Sequence, residues 1–143
     1  MSDSNRDLWY CYQQTQFLLT QAFSPTLSFA IITAHNPMGQ ILTSCQNRLL
    51  DKQLQLEIDK LHQPYRAVVG TSVAGDHMEK SWAVPIDKVA AIELGKLFNQ
   101  NAIYFVEAGH LQLVPCLLDY PEQALGVFEA RVCLVSELPD IYS

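Results

Sequence analysis

The chain has few of the features that mark a secreted or membrane protein. Its four cysteines form no C-x-x-C pair, which argues against a zinc knuckle or a thioredoxin-type redox motif. No apolar run approaches the ~20 residues that a transmembrane helix needs. The first residues hold no basic stretch followed by an apolar core, as a signal peptide would. We therefore expect a cytoplasmic protein that does not enter a membrane.

Positive charge is also scarce, above all towards the end of the chain. The 143 residues hold 9 lysines and arginines against 15 aspartates and glutamates, for a net charge of −6. Residues 97–143 contain one basic and six acidic side chains. Nucleic-acid binding depends on basic side chains that neutralise phosphates, so we expect no nucleic-acid partner. The acidic last third could instead recruit a basic protein partner through Glu122, Glu129 and Glu137.

What the chain does contain is typical of one globular domain over residues 1–143. Hydrophobic residues make up 49% and charged residues 17%, which is enough apolar surface for a core. Residue periodicity and turn signals predict helices at about 5–16, 43–61 and 87–98. The same signals predict strands at about 27–34, 65–70, 79–86, 102–106 and 111–114. Residues 121–125 could form a helical turn, and the alternation over 128–134 favours a last strand.

The order strand, helix, strand, strand, helix, strand is the split βαβ pattern of ferredoxin-like α+β folds. We therefore predict an antiparallel sheet with helices on one face, an N-terminal helix and a C-terminal strand extension. In that topology the strand at 79–86 lies between those at 27–34 and 65–70, and the strand at 102–106 lies on the other side of 27–34. Several polar segments would then meet at one end of the sheet.

Those segments supply the candidate site. The Thr43 helix carries Asn47 within its apolar stripe, and a buried asparagine must find partners or cost about 1–3 kcal/mol. We predict a pocket for a small polar or anionic ligand, with Glu79 as the candidate catalytic acid/base and Arg48 as the anion anchor. The other predicted ligand-binding residues are His35, Asn36, Asn47, His77, Ser81 and Gln100.

Three alternatives remain open for the same residues. The first is a purely structural network that fixes the Asn36-Pro37 corner, with Glu79 paired to Arg48. The second is a divalent metal held by His35, His77 and Glu79. The third is a Cys45 nucleophile at a helix N-terminus with His35 as its base. The sequence identifies no cofactor, and the alternative function is a non-enzymatic protein-interaction module that uses the acidic C-terminal face.

The chain also resembles a bacterial family of uncharacterised proteins, the domain-of-unknown-function 3293 family. The residues that carry the resemblance lie in four groups: Leu8-Trp9 with Tyr12, Thr15 and Phe17; Ile32 to Pro37 with Asn47-Arg48; Glu79-x-Ser81; and Phe98-x-Gln100-x-Ala102. They place a family-like core at about 8–107 and an extension at about 108–143. The family pattern has aromatic residues at the positions of His35 and His77, so it assigns no role to these histidines. The resemblance implies a soluble bacterial protein and names no activity.

Overall fold

A computed structural model describes residues 3–142 of the chain. The helices are α1 (Asp3–Tyr12), α2 (Ser44–Asp59) and α3 (Lys88–Leu97). The strands are β1 (Gln16–Leu19), β2 (Phe29–Thr33), β3 (Arg66–Thr71), β4 (Met78–Val84), β5 (Ala102–Glu107), β6 (His110–Pro115), β7 (Gln123–Val127) and β8 (Val132–Leu134). No helix within residues 3–142 is long and apolar enough to cross a membrane.

The strands form one mixed sheet, and the predicted ferredoxin-like fold is wrong. The eight strands lie in the order β7-β6-β5-β2-β4-β3-β1-β8. Every neighbouring pair is antiparallel except β1 and β8, which run parallel. A ferredoxin-like sheet has four antiparallel strands, whereas this sheet has strands beyond both edges of that set and curls into a half-barrel.

Aromatic contacts show how strongly the sheet curls. Strand β5 lies four strands away from β1, which is about 19 Å in a flat sheet at about 4.8 Å per strand. Yet the ring of Phe17 on β1 lies 5.1 Å from the ring of Tyr104 on β5. Phe128, in the 3-10 turn at 128–131, packs against Phe17 and against Phe29 of β2, with ring centres 5.4 and 5.6 Å apart. The curl therefore makes one face of the sheet concave, with an aromatic core inside it.

The helices lie on both faces, which corrects the expectation of helices on one face. Helices α2 and α3 cover the convex face, where Leu54, Ile58 and Ala91 pack against Ala30 and Ile32 of β2. Helix α1 lies on the concave side, where its residues Leu8, Cys11 and Tyr12 line a cavity. The sequence signals for the starts of α2 and α3 are confirmed, because Thr43 and Gln46 form a capping box and Asp87 caps α3.

The two ends of the chain differ most from the prediction. The first helix ends at Tyr12, and residues 16–19 form β1 rather than extending that helix. The predicted helical turn at 121–125 is replaced by β7, and the predicted strand at 128–134 by a 3-10 turn followed by β8. The division into a core at 8–107 and an extension at 108–143 stays a prediction.

Strand β2 has the neighbours that we expected for residues 27–34. It pairs with β4 on one side, from Ala30 opposite Val84 to Thr33 opposite Ser81, and with β5 on the other. The end of β2 consequently lies beside the start of β4 and near the start of β5. This arrangement brings the predicted polar segments together.

Candidate functional site

The site is organised by Asn36, directly after β2. This residue is buried and has φ 49° and ψ 61°, a left-handed conformation that asparagine tolerates better than most residues. Its backbone N–H donates to Oδ1 of Asn47 at 2.9 Å. Its side-chain Oδ1 accepts from the Leu42 N–H and from Nδ2 of Asn47, at 2.9 and 3.0 Å. The predicted role of Asn47 as a buried residue with polar partners is thus confirmed.

The remaining donor of Asn36 reaches Glu79 on β4. Its Nδ2 donates to Oε2 of Glu79 at 2.9 Å, and Nε2 of His77 lies 3.1 Å from the same oxygen. This hydrogen bond to Glu79 raises the pKa of His77 and favours its charged form. The other oxygen of Glu79, Oε1, takes part in no hydrogen bond within residues 3–142. The carboxylate is therefore held in place by two donors through one oxygen, and the second oxygen is available to a ligand.

His35 closes the inner side of the cluster. It is 3% exposed, and Gln100 donates from Nε2 to its backbone carbonyl at 3.1 Å. Its Nε2 lies 2.6 Å from the hydroxyl of Tyr142 in the C-terminal segment. Burial lowers the pKa of His35 below its ordinary value, so that the ring favours the neutral form. The two histidines of the site are thus shifted in opposite directions.

These residues form the polar end of a cavity of about 410 Å³ between the concave face of the sheet and α1, which we call the concave cavity. Its polar end contains His35, Asn36, Asp76, His77, Glu79, Ser81 and Gln100. Its apolar walls come from α1, from strands β1, β2 and β6 and from the start of β5, and include Leu8, Phe17, Ile31, Ile103 and Leu113. A volume of this size and an apolar lining with a few convergent polar groups are typical of small-molecule sites.

Helix α1 is fixed over this cavity by two tyrosines and a glycine. The hydroxyl of Tyr12 accepts from Nδ2 of Asn101 at 3.0 Å, and Tyr104 donates to the backbone carbonyl of Tyr12. Leu8 approaches Gly39 so closely that a Cβ at position 39 would lie 2.6 Å from Cδ1 of Leu8. Helix α1 is therefore part of the cavity wall.

Arg48 does not join the cluster, which corrects the expectation that it lies beside Glu79. It is exposed and lines a separate cavity with Asp51, Lys52 and Lys80. The predicted pairing of Glu79 with Arg48 is likewise wrong, because Glu79 pairs with Asn36 and His77. Neighbouring helix residues point about 100° apart, so Arg48 cannot face Asn36 as Asn47 does. Asn47 supports Asn36 from behind and is not among the residues that line the concave cavity.

The geometry supports neither the metal site nor the Cys45 nucleophile. Within residues 3–142, no group of three or more histidines, cysteines, aspartates and glutamates is arranged to hold a metal ion. His35 directs Nε2 to Tyr142, while His77 and Glu79 pair with each other. Cys45 is exposed and is not among the residues that line the concave cavity.

Three site residues were missed by sequence reasoning. The first is Asp76, which lines the polar end of the cavity, whereas in the sequence Gly75-Asp76 indicates only a turn. The Ser72 hydroxyl donates to the Asp76 carboxylate at 2.7 Å and holds the pKa of Asp76 below its usual value. Tyr104 reads as one more apolar strand residue, although its hydroxyl also lies within hydrogen-bond distance of the Thr15 hydroxyl, at 2.8 Å. Tyr142 lies in a segment without periodicity, and nothing local connects it to His35.

Comparison with known proteins adds a family but no activity. No curated protein and no solved structure matches the chain. One family matches residues 32–103, a range that contains the whole Asn36, Asn47 and Glu79 cluster but excludes α1, β1 and β6. The matched range covers half of the chain and agrees with the resemblance seen in its motifs. The chain therefore belongs to the family described as "Protein of unknown function (DUF3293)".

Proposed function

We propose that the concave cavity binds a small ligand that has an apolar body and a cationic, hydrogen-bond-donating head group. The observation that carries this proposal is the carboxylate of Glu79, which two donors hold through Oε2 while Oε1 makes no hydrogen bond within residues 3–142. A carboxylate that is already oriented accepts a ligand donor without further loss of side-chain freedom. An amine or amidine is the head group that suits it best.

The charged residues that line the concave cavity also favour a cationic ligand. Among residues 3–142, the acidic residues that line the cavity are Asp76 and Glu79, and no lysine or arginine lines it. His77 is the residue that can offset them, because its pKa is raised by Glu79. The anionic ligand expected from the sequence depended on Arg48, which lines another cavity. We therefore assign a cationic ligand to the concave cavity.

The apolar walls set the second requirement. Apolar side chains of α1, β2 and β6, among them Leu8, Ile31 and Leu113, line this cavity of about 410 Å³. Burial of apolar ligand surface against such walls contributes about 25 cal/mol per Å². The ligand should accordingly be an aryl or alkyl amine rather than a sugar or a free amino acid.

A fragment series tests the proposal directly. Arylalkyl amines, together with alcohols and carboxylic acids of matched size, are titrated into the protein and binding is followed by calorimetry and by thermal shift. We expect the amines to bind most tightly, because a hydrogen bond to a charged group contributes about 1.5–3 kcal/mol. Glu79→Gln should therefore weaken amine binding by roughly 10- to 100-fold and leave the alcohols unchanged.

Glu93→Gln is the matched control. It removes one carboxylate from an exposed position of α3 and should leave binding of the amines as it is. The proposal fails if the acids bind as well as the amines, or if Glu93→Gln weakens amine binding as much as Glu79→Gln does. A catalytic role for Glu79 stays a prediction, as do a bacterial origin and a cytoplasmic location.

The protein-interaction alternative also stays a prediction. Of its three carboxylates, Glu122 forms an ion pair with Lys88 at 2.8 Å, Glu129 lies in the 3-10 turn at 128–131 and Glu137 follows β8. These positions lie in three different parts of the chain's fold. If reversing all three charges changes which proteins are captured, while Glu79→Gln does not, the interaction module is favoured over the ligand site.

A further inference from the structure

A second cavity, of about 320 Å³, lies beside α2 and under the C-terminal segment, and we call it the Arg48 cavity. Its basic residues are Arg48, Lys52 and Lys80, which are three of the nine lysines and arginines in the chain. Two acidic residues, Asp51 and Asp140, line it as well. Three positive charges against two negative ones leave a net positive site in a chain whose net charge is −6.

The charge of Lys80 is already compensated within the fold. Its Nζ lies 3.1 Å from Oδ2 of Asp51 and 4.3 Å from the centre of the Trp82 ring. The other oxygen of Asp51 accepts from Nε1 of Trp82 at 2.9 Å. Asp51 is 3% exposed, and both of its oxygens are used by these two partners. It is therefore not available to neutralise the other two basic side chains.

Against the one remaining carboxylate of the lining, that of Asp140, two basic residues remain, Arg48 and Lys52. They lie four residues apart on α2, which places them on the same face of the helix, and both are exposed. Neither makes a hydrogen bond or an ion pair within residues 3–142. Like charges at this spacing repel each other unless an anion lies between them. A guanidinium beside an ammonium is also a favourable arrangement for a phosphate or a carboxylate group.

We propose that the Arg48 cavity binds the oxyanion group of a small molecule, a phosphate or a carboxylate, between Arg48 and Lys52. This site is independent of the function proposed for the concave cavity, because its lining residues and the sign of its charge differ. Nucleic acid is a poor candidate, since the three basic residues line a single small cavity and the rest of the chain is strongly acidic. Lys80 stays paired with Asp51 and takes no part in anion binding under this proposal.

Titration with inorganic phosphate and with acetate, followed by amide shifts in ¹H–¹⁵N NMR spectra at low ionic strength, tests this site. We expect saturable shifts at residues 48–55, and the ion that binds more tightly identifies the oxyanion class. The double variant Arg48→Gln/Lys52→Gln should weaken binding at least tenfold. Both side chains are exposed, so the variant should fold, and its circular dichroism spectrum checks this.

The matched control is Lys60→Gln/Lys96→Gln, which removes the same two charges from exposed positions elsewhere. The proposal is overturned if this control weakens binding as much as the Arg48/Lys52 variant, or if neither anion gives saturable shifts at residues 48–55. Glu79→Gln should leave anion binding unchanged. Loss of amine binding in that variant with retained phosphate or acetate binding would show that the two sites are separate.

Discussion

Replacement of Asn47 by alanine is the most direct test of the cluster around Asn36. The variant removes the acceptor of the Asn36 N–H and the donor to Asn36 Oδ1, both within a buried site. An unpaired buried donor costs about 1–3 kcal/mol, and the second hydrogen bond contributes about 0.5–1.5 kcal/mol. Alanine regains about 0.6 kcal/mol through its higher helix propensity. We therefore expect a net loss of about 1–4 kcal/mol in the free energy of unfolding.

Urea unfolding, followed by tryptophan fluorescence, measures this loss. Gln53→Ala is the matched control, because residue 53 is an exposed position of the same helix, where alanine should stabilise by a few tenths of a kcal/mol. Asn47→Asp keeps the acceptor but places a charged oxygen where Nδ2 now donates to Oδ1 of Asn36, so it should be at least as destabilising as Asn47→Ala. A difference below about 0.5 kcal/mol between Asn47→Ala and Gln53→Ala would refute the proposed role of the cluster.

Two further predictions concern the neighbours of this cluster. Because burial lowers the pKa of His35, the unfolded chain takes up a proton near pH 6.5 before the folded protein does, so the contribution of His35 to stability should fall as the pH drops below about 6.5, whereas His77, whose pKa is raised, contributes in the opposite direction. In urea unfolding at pH 7 and pH 5, His35→Gln should reduce this fall, whereas His110→Gln at an exposed position should not. Gly39→Ala should destabilise by about 1–3 kcal/mol, since its φ is +76° and its Cβ would meet Leu8. The double variant with Leu8→Ala should recover the steric part of that loss, and strictly additive losses would contradict the close approach.

Much of the site could be predicted because its determinants are local. Three signals each depend on residues of a single helix or strand end: Asn47 within an apolar helix stripe, the capping box at Thr43, and the corner at Asn36-Pro37. The direction of Arg48 can also be predicted from the sequence, because a residue adjacent to Asn47 on a helix points to a different side of it. Our prediction grouped the two residues by their position in the sequence and ignored that rotation.

The rest of the fold depends on contacts that no local pattern encodes. Strand β1 has only four residues, and the helix predicted at about 5–16 runs up to its first residue, Gln16, so no local pattern marks the change of conformation there. The curl of the sheet comes from packing among rings that lie far apart in sequence, such as Phe17, Tyr104 and Phe128. The cavity walls follow from this curl, and for that reason the sequence indicated polar residues of the site but not the cavity they face.

The parallel pairing of β1 with β8 has a consequence for how the protein is made. Phe17 pairs with Val132, a residue 115 positions later (132 minus 17), and Arg131 donates to the backbone carbonyl of Gln13 at 2.6 Å. At about 5–20 residues per second, a ribosome needs about 6–23 s to synthesise the intervening chain. During that time the outer edge of β1 has no strand to pair with, and exposed edges promote aggregation. The outer edge of β1 is therefore covered only late in synthesis, and chaperone capture of the nascent chain should peak before β8 emerges.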